Sequence, residues 1–102
     1  MNLEPDIFIE VRFKTAAEGG RQTAITIPEH ADSHYGCPLF VDGEGFDCRI
    51  LVKGRTLELG QTYELPIKFL FPNLALPKIS VGKSVKLWEG TDIAVGKVIR
   101  FA

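Results

Sequence analysis

Hydrophobic and polar residues alternate along most of the chain. In IFIEVRFK (residues 7–14) every second residue from Ile7 onward is apolar, and TYELPIKFLF (residues 62–71) repeats this pattern from Tyr63 to Phe71. A period of two residues is typical of a β-strand that buries one of its faces. Shorter stretches of the same kind predict further strands at residues 23–27, 38–42, 46–52, 55–59, 84–89 and 92–101.

The pattern favours an all-β fold over any helical one. No stretch carries apolar residues at helical spacing, and glycine or proline recurs roughly every eight to twelve residues, as in β-sandwiches and barrels. The chain has 102 residues, enough for a single domain over residues 1–102. Six or more short strands in a chain of this length predict a small closed barrel.

Several glycine and proline residues predict turns, bulges or strand edges. Gly19 and Gly20 lie between two predicted strands and read as the turn of a hairpin, and GEG (residues 43–45) reads as a second hairpin connection. Pro66 cannot donate a backbone hydrogen bond, so we expect it on an edge strand or at a bulge. Gly96 interrupts the last strand pattern and predicts a bend or bulge.

The stretch PNLALPKIS (residues 72–80) is short and rich in proline. We therefore expect no helix there, because proline removes a helical hydrogen bond and clashes with the preceding turn. Phe71, just before it, continues the apolar face of its strand and is expected to point inward.

Composition and charge exclude several classes of protein. Hydrophobic residues make up 45% and charged residues 25%, and no apolar run is long enough to span a membrane. The net charge of −1 argues against a dedicated DNA-binding protein, which is usually far more basic. The start, MNLEPD, lacks the features of a signal peptide, which predicts a cytoplasmic location.

One loop contains residue types that bind zinc. His30, Asp32, His34 and Cys37 follow one another within HADSHYGC, but no helical pattern holds them on a common face. We expect a polar loop and no bound metal.

Catalytic patterns are missing as well. VGKS (residues 81–84) ends like a phosphate-binding loop, yet the glycine required five residues before the Gly-Lys pair is replaced by Pro77, and a strand pattern follows instead of a helix. No serine or cysteine stands in a nucleophile-elbow pattern with a histidine and a carboxylate. We expect neither an enzyme nor a cofactor.

Cys37 and Cys48 are the only cysteines. In a cytosolic protein the expected state is two reduced thiols that pack as small hydrophobic side chains. A disulfide between them is the alternative that the sequence leaves open.

Three stretches in order, IEVRF…AAEGGRQTAI, LELGQTYELPIKFLFP and LWEGTDIAVGKVI, resemble the third, C-terminal domain of elongation factor Tu. The resemblance runs from about Ile7 to Phe101. It implies a six-stranded antiparallel barrel, in agreement with the strand pattern. Because Met1 directly precedes the first strand, we expect a stand-alone domain without a preceding GTPase domain.

The resemblance also implies residues that contact tRNA. Gly19, Gly20 and Arg21 match a hairpin that lies near bound aminoacyl-tRNA in the family, and Glu89 and Gly90 match an acid-glycine pair that touches the T stem. A third tRNA-facing element, Tyr-Arg-Pro-Gln-Phe, lacks its arginine and glutamine here. The implied RNA contact is accordingly weak.

We therefore expect a non-enzymatic β-barrel binding module, related to translation and making weak contact with tRNA or another RNA. The alternative is a protein–protein interaction domain without RNA binding, which binds a partner or a second copy of itself. Its candidate contacts are Trp88, Phe8 and Leu70, which lie off the inward faces of their strands, and aromatic residues are enriched at interfaces.

Overall fold

A computed structural model describes residues 4–30 and 34–102. Within these residues the protein is nearly all β-structure, with one short α-helix. The 3₁₀ turns are Ala16–Glu18 and Leu76–Lys78. The strands and the helix are β1 (Ile7–Phe13), β2 (Ile25–Ile27), β3 (Tyr35–Val41), β4 (Glu44–Ile50), β5 (Arg55–Leu57), β6 (Thr62–Phe69), α1 (Pro72–Ala75), β7 (Ser84–Trp88) and β8 (Asp92–Phe101).

Six strands form a closed antiparallel barrel in the order β1-β6-β4-β3-β7-β8, and β8 pairs again with β1. The two remaining strands, β2 and β5, form a separate antiparallel pair. Closure removes the unpaired edges that an open sheet would present to other chains. The predicted fold class, an all-β protein with a closed six-stranded barrel, is confirmed.

The barrel interior contains the apolar face of each strand. In β1, Ile7, Ile9, Val11 and Phe13 are all buried, and the intervening residues are not. Each such side chain contributes roughly 1.5–3 kcal/mol when it is fully buried. The predicted inward face of β6 is confirmed for its buried residues, Leu65, Ile67 and Phe69.

Residues 72–80 contradict the expectation of no helix. Pro72 is the first residue of α1. A backbone N–H at this position has no partner within the helix, so a proline there loses no hydrogen bond. Ala75 is buried beneath this turn, and the 3₁₀ turn Leu76–Lys78 follows directly. Phe71 is exposed, because β6 ends at Phe69 and its alternation ends with it.

The segment around Gly19 and Gly20 is a tight turn, but not the predicted hairpin, since β1 pairs with β6 and β8 whereas β2 pairs with β5. Thr15 and Glu18 cap the 3₁₀ turn reciprocally, and the hydrogen bond from the Thr15 backbone N–H holds the pKa of Glu18 below its ordinary value. Gly19 ends the turn with φ +90°, a conformation that favours glycine. At Gly20 a Cβ atom would lie 2.5 Å from the Lys14 carbonyl oxygen.

The hairpin between β3 and β4 exists, but its turn is Asp42–Gly43 and not residues 43–45. Both residues have positive φ, 50° and 77°, as a two-residue type I′ turn requires. Val41 and Glu44 are the first paired residues on either side of it. The turn thereby sets the whole register between the two strands.

Pro66 is not on an edge strand, because β6 pairs with β1 on one side and β4 on the other. It lies where the ladder between β6 and β4 ends at Ile67, and its carbonyl still accepts a hydrogen bond from the Leu51 N–H (3.0 Å). The absent N–H faces the same side as this carbonyl, so it falls one residue past the last registered pair of that ladder, and no register shift occurs at Pro66.

Gly96 is not at a bulge either. The register shifts of β8 lie nearer its two ends, while Gly96 pairs regularly with Val11 of β1 and Val85 of β7. A Cβ atom there would overlap the carbonyl oxygen of Glu10 and lie 2.7 Å from the Val11 Cα. Gly96 is thus required by the close approach of β1 to β8.

Candidate functional site

Two of the predicted RNA-binding residues, Arg21 and Glu89, form an ion pair with each other. The Arg21 Nη1 atom lies 2.6 and 2.7 Å from the two carboxylate oxygens of Glu89, and the side chains are only 23% and 27% exposed. The same nitrogen donates to the Tyr35 hydroxyl (3.1 Å), and Arg21 Nε donates to the Thr23 carbonyl (3.0 Å). The guanidinium is therefore engaged within the protein.

This ion pair lies at the seam between β3 and β7. The registered pairs of that seam are Leu39 with Leu87 and Phe40 with Lys86. Beyond them, Arg21 connects Tyr35, the first residue of β3, to Glu89, which follows β7. Side-chain contacts thus hold the two strands together where backbone pairing has ended.

The loops on either side of the ion pair also touch. The Thr91 hydroxyl donates to the Gly19 carbonyl oxygen (3.3 Å), and Gly90 lies in the same turn with φ +75°. All five residues of the sequence prediction for this region, Gly19, Gly20, Arg21, Glu89 and Gly90, therefore belong to two neighbouring loops. Their contact with RNA stays a prediction.

We expect Arg21→Gln to lower the free energy of unfolding by about 1–2 kcal/mol, because it removes charge-assisted hydrogen bonds from a half-buried site. Arg12→Gln is the matched control: Arg12 pairs with Glu18 at 3.0 Å, but the two side chains are 43% and 45% exposed. Exposed pairs contribute up to about 1 kcal/mol and often nothing measurable. Urea unfolding of both variants measures the difference, and equal losses would contradict the role assigned to Arg21.

A pair of aromatic rings lies on the outside of the same seam. Phe40 of β3 and Trp88 of β7 have ring centroids 5.8 Å apart with an angle of 54° between the planes. Gly45 lies opposite Phe40 on β4, and a Cβ atom there would be 2.8 Å from the Phe40 ring. The glycine lets the ring lie across the neighbouring strand, while Trp88 is 39% exposed.

Leu70 lies at the other end of a row of residues that starts at Trp88 and crosses β3 and β4. Its N–H donates to the carbonyl of Asp47 (3.1 Å), and Asp47 is paired with Pro38 on β3. Continuing the β3–β7 register by one residue beyond Leu39 and Leu87 places Pro38 opposite Trp88. Leu70 and Trp88 thus lie on one row across four strands, about 14 Å apart at the usual strand spacing. We call the surface formed by Pro38, Phe40, Leu70 and Trp88 the outer face.

The exposure expected for Trp88 and Leu70 is confirmed, at 39% and 42%. Phe8 is different: it is half-buried on β1, and the guanidinium of Arg100 lies 4.1 Å from its ring centroid. The structure therefore leaves Trp88 and Leu70 exposed on one row but not in contact, and it places Phe8 on β1, where the Arg100 guanidinium covers its ring. Contact with a partner stays a prediction for all three.

The outer face is bordered by charges that are paired with one another. An open groove of about 730 Å³ runs beside Trp88. At its margins Lys83 pairs with Asp42 (2.6 Å) and Lys86 pairs with Asp92 (3.3 Å). The groove therefore combines an aromatic wall with a locally balanced charge.

Pro38 and Phe40 are the proline and phenylalanine kept from the third tRNA-facing element, and they were not among the residues expected at a protein interface. Phe40 and Pro38 alternate with the inward residues Leu39 and Val41, so the period of two already placed them outside. Phe71 and Leu74 are also exposed and border a second hollow that begins at Asp47. Both residues are exposed because the chain leaves β6 and turns at α1, a helix that was not predicted from the sequence.

Cys37 and Cys48 are free, buried and directly opposite each other on β3 and β4. Of the zinc-type residues, Asp32 lies outside the described residues. Among residues 4–30 and 34–102 no three histidine, cysteine or acidic side chains gather as metal ligands would. The absence of a metal remains an expectation.

Comparison with models of protein families and with curated protein sequences gives no match. In the part of the chain that the structure covers, no helix is long and apolar enough to cross a membrane.

Proposed function

We propose that this protein is a non-enzymatic β-barrel binding module that holds an apolar segment of a protein partner on its outer face. The observation that carries the proposal is the exposed indole of Trp88 beside the half-buried ring of Phe40, on a row that continues to Leu70. Aromatic residues at the centre of a patch and charged residues at its rim are the usual composition of a protein interface.

The charge distribution favours a protein partner over a nucleic acid. The lysines next to the groove, Lys83 and Lys86, are both paired with aspartates, and Arg21 is engaged by Glu89. A nucleic acid is bound chiefly through unpaired positive charge that neutralises its phosphates. A surface with balanced charges suits a largely uncharged peptide segment.

The shape of the groove favours one large side chain of the partner as the anchor. Its volume of about 730 Å³ lies in the range of pockets that hold small ligands or side chains. Phe40 and Trp88 form one wall, and an aromatic or long aliphatic side chain would bury the exposed part of the indole. We expect the partner segment to present such a residue between neutral neighbours.

A peptide-display selection tests this function. The folded chain is the bait, and each enriched peptide is tested again on Trp88→Ala and on the matched control Phe101→Ala. Phe101 is an exposed aromatic residue at the end of β8, is paired with Ile7, and does not line the groove beside Trp88. The proposal predicts peptides with an aromatic or aliphatic anchor that bind the wild type and the control but not Trp88→Ala. Failure to enrich any such peptide, or equal binding to all three chains, would contradict it.

Weak contact with tRNA, as part of a role in translation, is the second candidate function. It is supported by the resemblance of the chain to the third domain of elongation factor Tu and by the contact between the loops of Gly19 and Thr91. The engaged guanidinium of Arg21 and the net charge of −1 limit the expected affinity.

We expect any tRNA binding to have a Kd on the order of 10⁻⁴ to 10⁻⁶ M and a salt slope of roughly 2–3 on a log–log scale. Fluorescence anisotropy with charged and uncharged tRNA at two salt concentrations measures both quantities. Arg21→Ala should abolish the binding if the two loops form the contact. Nanomolar affinity, or binding that Arg21→Ala leaves unchanged, would place the RNA surface elsewhere.

A further inference from the structure

The two cysteines are positioned for a bond between neighbouring strands. Cys37 and Cys48 are directly opposite in the β3–β4 ladder. Counting pairs from the two-residue turn at Asp42–Gly43, they form a hydrogen-bonded pair, for which the Cα atoms are about 5.5 Å apart. Disulfides join Cα atoms about 4.4–6.8 Å apart. The backbone therefore already lies at disulfide distance.

The surroundings give the two thiols different roles. Hydrogen bonding with Cys48 is the main cause that lowers the pKa of Cys37, and hydrogen bonding with the Trp88 backbone lowers this pKa further. These bonds, with the nearby charge of Arg21, lower the pKa of Cys37 against the opposing effects of burial and Asp47. The same thiol–thiol bond, together with burial, raises the pKa of Cys48 well above its ordinary value.

A surface hollow lies on the outer side of the strands that carry this pair. Its volume is about 370 Å³, and it is lined by both cysteines together with Gly36 and Leu70. Gly36 contributes no side chain that could cover the strand. The hollow lies on the outer side of the two strands, whereas both thiols lie on the inner side together with Leu39 and Ile50. Cys37 is 7% exposed and Cys48 1%, so Cys37 is the more accessible of the two to a small oxidant.

We propose that Cys37 and Cys48 form a thiol oxidation site, at which a hydroperoxide converts the pair into a cross-strand disulfide. The Cys37 thiol releases its proton, which the leaving oxygen takes up, and its sulfur attacks one oxygen of the hydroperoxide so that the O–O bond breaks. A sulfenic acid forms on Cys37, and the other oxygen leaves as an alcohol or as water. The Cys48 thiol then attacks the sulfenic sulfur, loses its proton and releases water as the S–S bond forms. The two thiols together give two electrons to the peroxide.

The resulting disulfide is expected to be easily reduced. Directly opposite Cβ atoms in a ladder are about 4.5–5.5 Å apart and are closer in pairs without backbone hydrogen bonds, so this pair falls in the wider part of that range. A disulfide needs about 3.5–4.5 Å, and its closure would strain β3 against β4. Strained disulfides have more oxidising potentials and serve as reversible ones. This inference does not depend on the proposed protein partner.

Intact-mass spectrometry of the folded chain after treatment with hydrogen peroxide is the test. The expected product is a monomer that has lost two hydrogen atoms and regains them with dithiothreitol. A trapping experiment with dimedone identifies the first thiol to react: Cys48→Ser should accumulate an adduct on Cys37, whereas Cys37→Ser should give none on Cys48. A disulfide-linked dimer, an unchanged mass, or an adduct on Cys48 would overturn the proposal.

A measurement on the unmodified chain keeps the test independent of how the serine variants fold. Iodoacetamide alkylation of the native protein, followed by peptide mapping, compares the two thiols directly. We expect Cys37 to react at least ~10-fold faster than Cys48 near neutral pH, and the two rates to become equal in concentrated urea. Equal rates in the folded chain would also overturn the proposal.

Discussion

Replacement of Gly96 with alanine is expected to lower the free energy of unfolding by about 3 kcal/mol or more. The added methyl group would overlap the carbonyl oxygen of Glu10 and crowd the Cα of Val11. Neither atom belongs to a flexible side chain that could turn away. Because β8 pairs with β1 and with β7 at this residue, the clash can be relieved only by separating strands of the barrel.

Urea unfolding of the variant measures this loss, which should also lower the Tm by roughly 12 °C or more. Gly36→Ala is the matched control, since Gly36 also lies in a barrel strand and a Cβ there would be 3.7 Å from its nearest neighbour, the Cys48 carbonyl oxygen. We expect that variant to be unchanged or up to about 1 kcal/mol more stable. Equal effects of the two substitutions would show that β1 and β8 do not approach as described.

Trp88→Ala is expected to weaken the binding of selected peptides by about 30-fold or more, since central tryptophans that act as hot spots contribute about 2 kcal/mol or more. The indole stands beside Phe40 and lines the groove, so its removal takes away one wall of the anchor site. Isothermal titration calorimetry measures the change, and circular dichroism verifies that the barrel is retained.

Phe101→Ala should bind the same peptides with wild-type affinity, because Phe101 is exposed at the end of β8 and lies outside the groove. A loss of affinity in both variants would indicate a general effect on the barrel. An unchanged affinity of Trp88→Ala would remove the indole from the binding site.

The strands were predictable because their signal is local. Alternation in residues 7–14 and 62–71 predicted β1 and β6 and the inward direction of Leu65 and Ile67, since each residue needs only its own neighbours to define a face. The same alternation placed Trp88 and Leu70 outside, which the structure confirms.

The pairing of strands and the close approach of one strand to another could not be predicted in the same way. The partner of β2 is β5, about thirty residues further along the chain. The residues around Gly19 and Gly20 contain no information about this pairing, so a hairpin was predicted where there is none. Gly96 resembled a bulge because the strand that passes over it lies at the opposite end of the chain.

Only part of the candidate site could be predicted from the sequence, because its residues lie far apart along the chain. Arg21 and Glu89 are 68 residues apart, and nothing in either stretch shows that they neutralise each other. The pairing of the two cysteines could have been predicted, because a two-residue Asp-Gly turn at Asp42 and Gly43 fixes a register in which Cys37 faces Cys48. When GEG (residues 43–45) is taken as the turn, the predicted register between β3 and β4 shifts, and Cys37 no longer faces Cys48.

Amide chemical-shift mapping tests whether the outer face binds a protein segment. A peptide from the display selection is titrated into the isotope-labelled chain, with a scrambled version of the same peptide as the control. We expect saturable shifts that centre on Phe40, Trp88 and Leu70, and none with the scrambled peptide. Shifts confined to the loops of Gly19 and Gly90, or spread evenly over the barrel, would contradict this expectation.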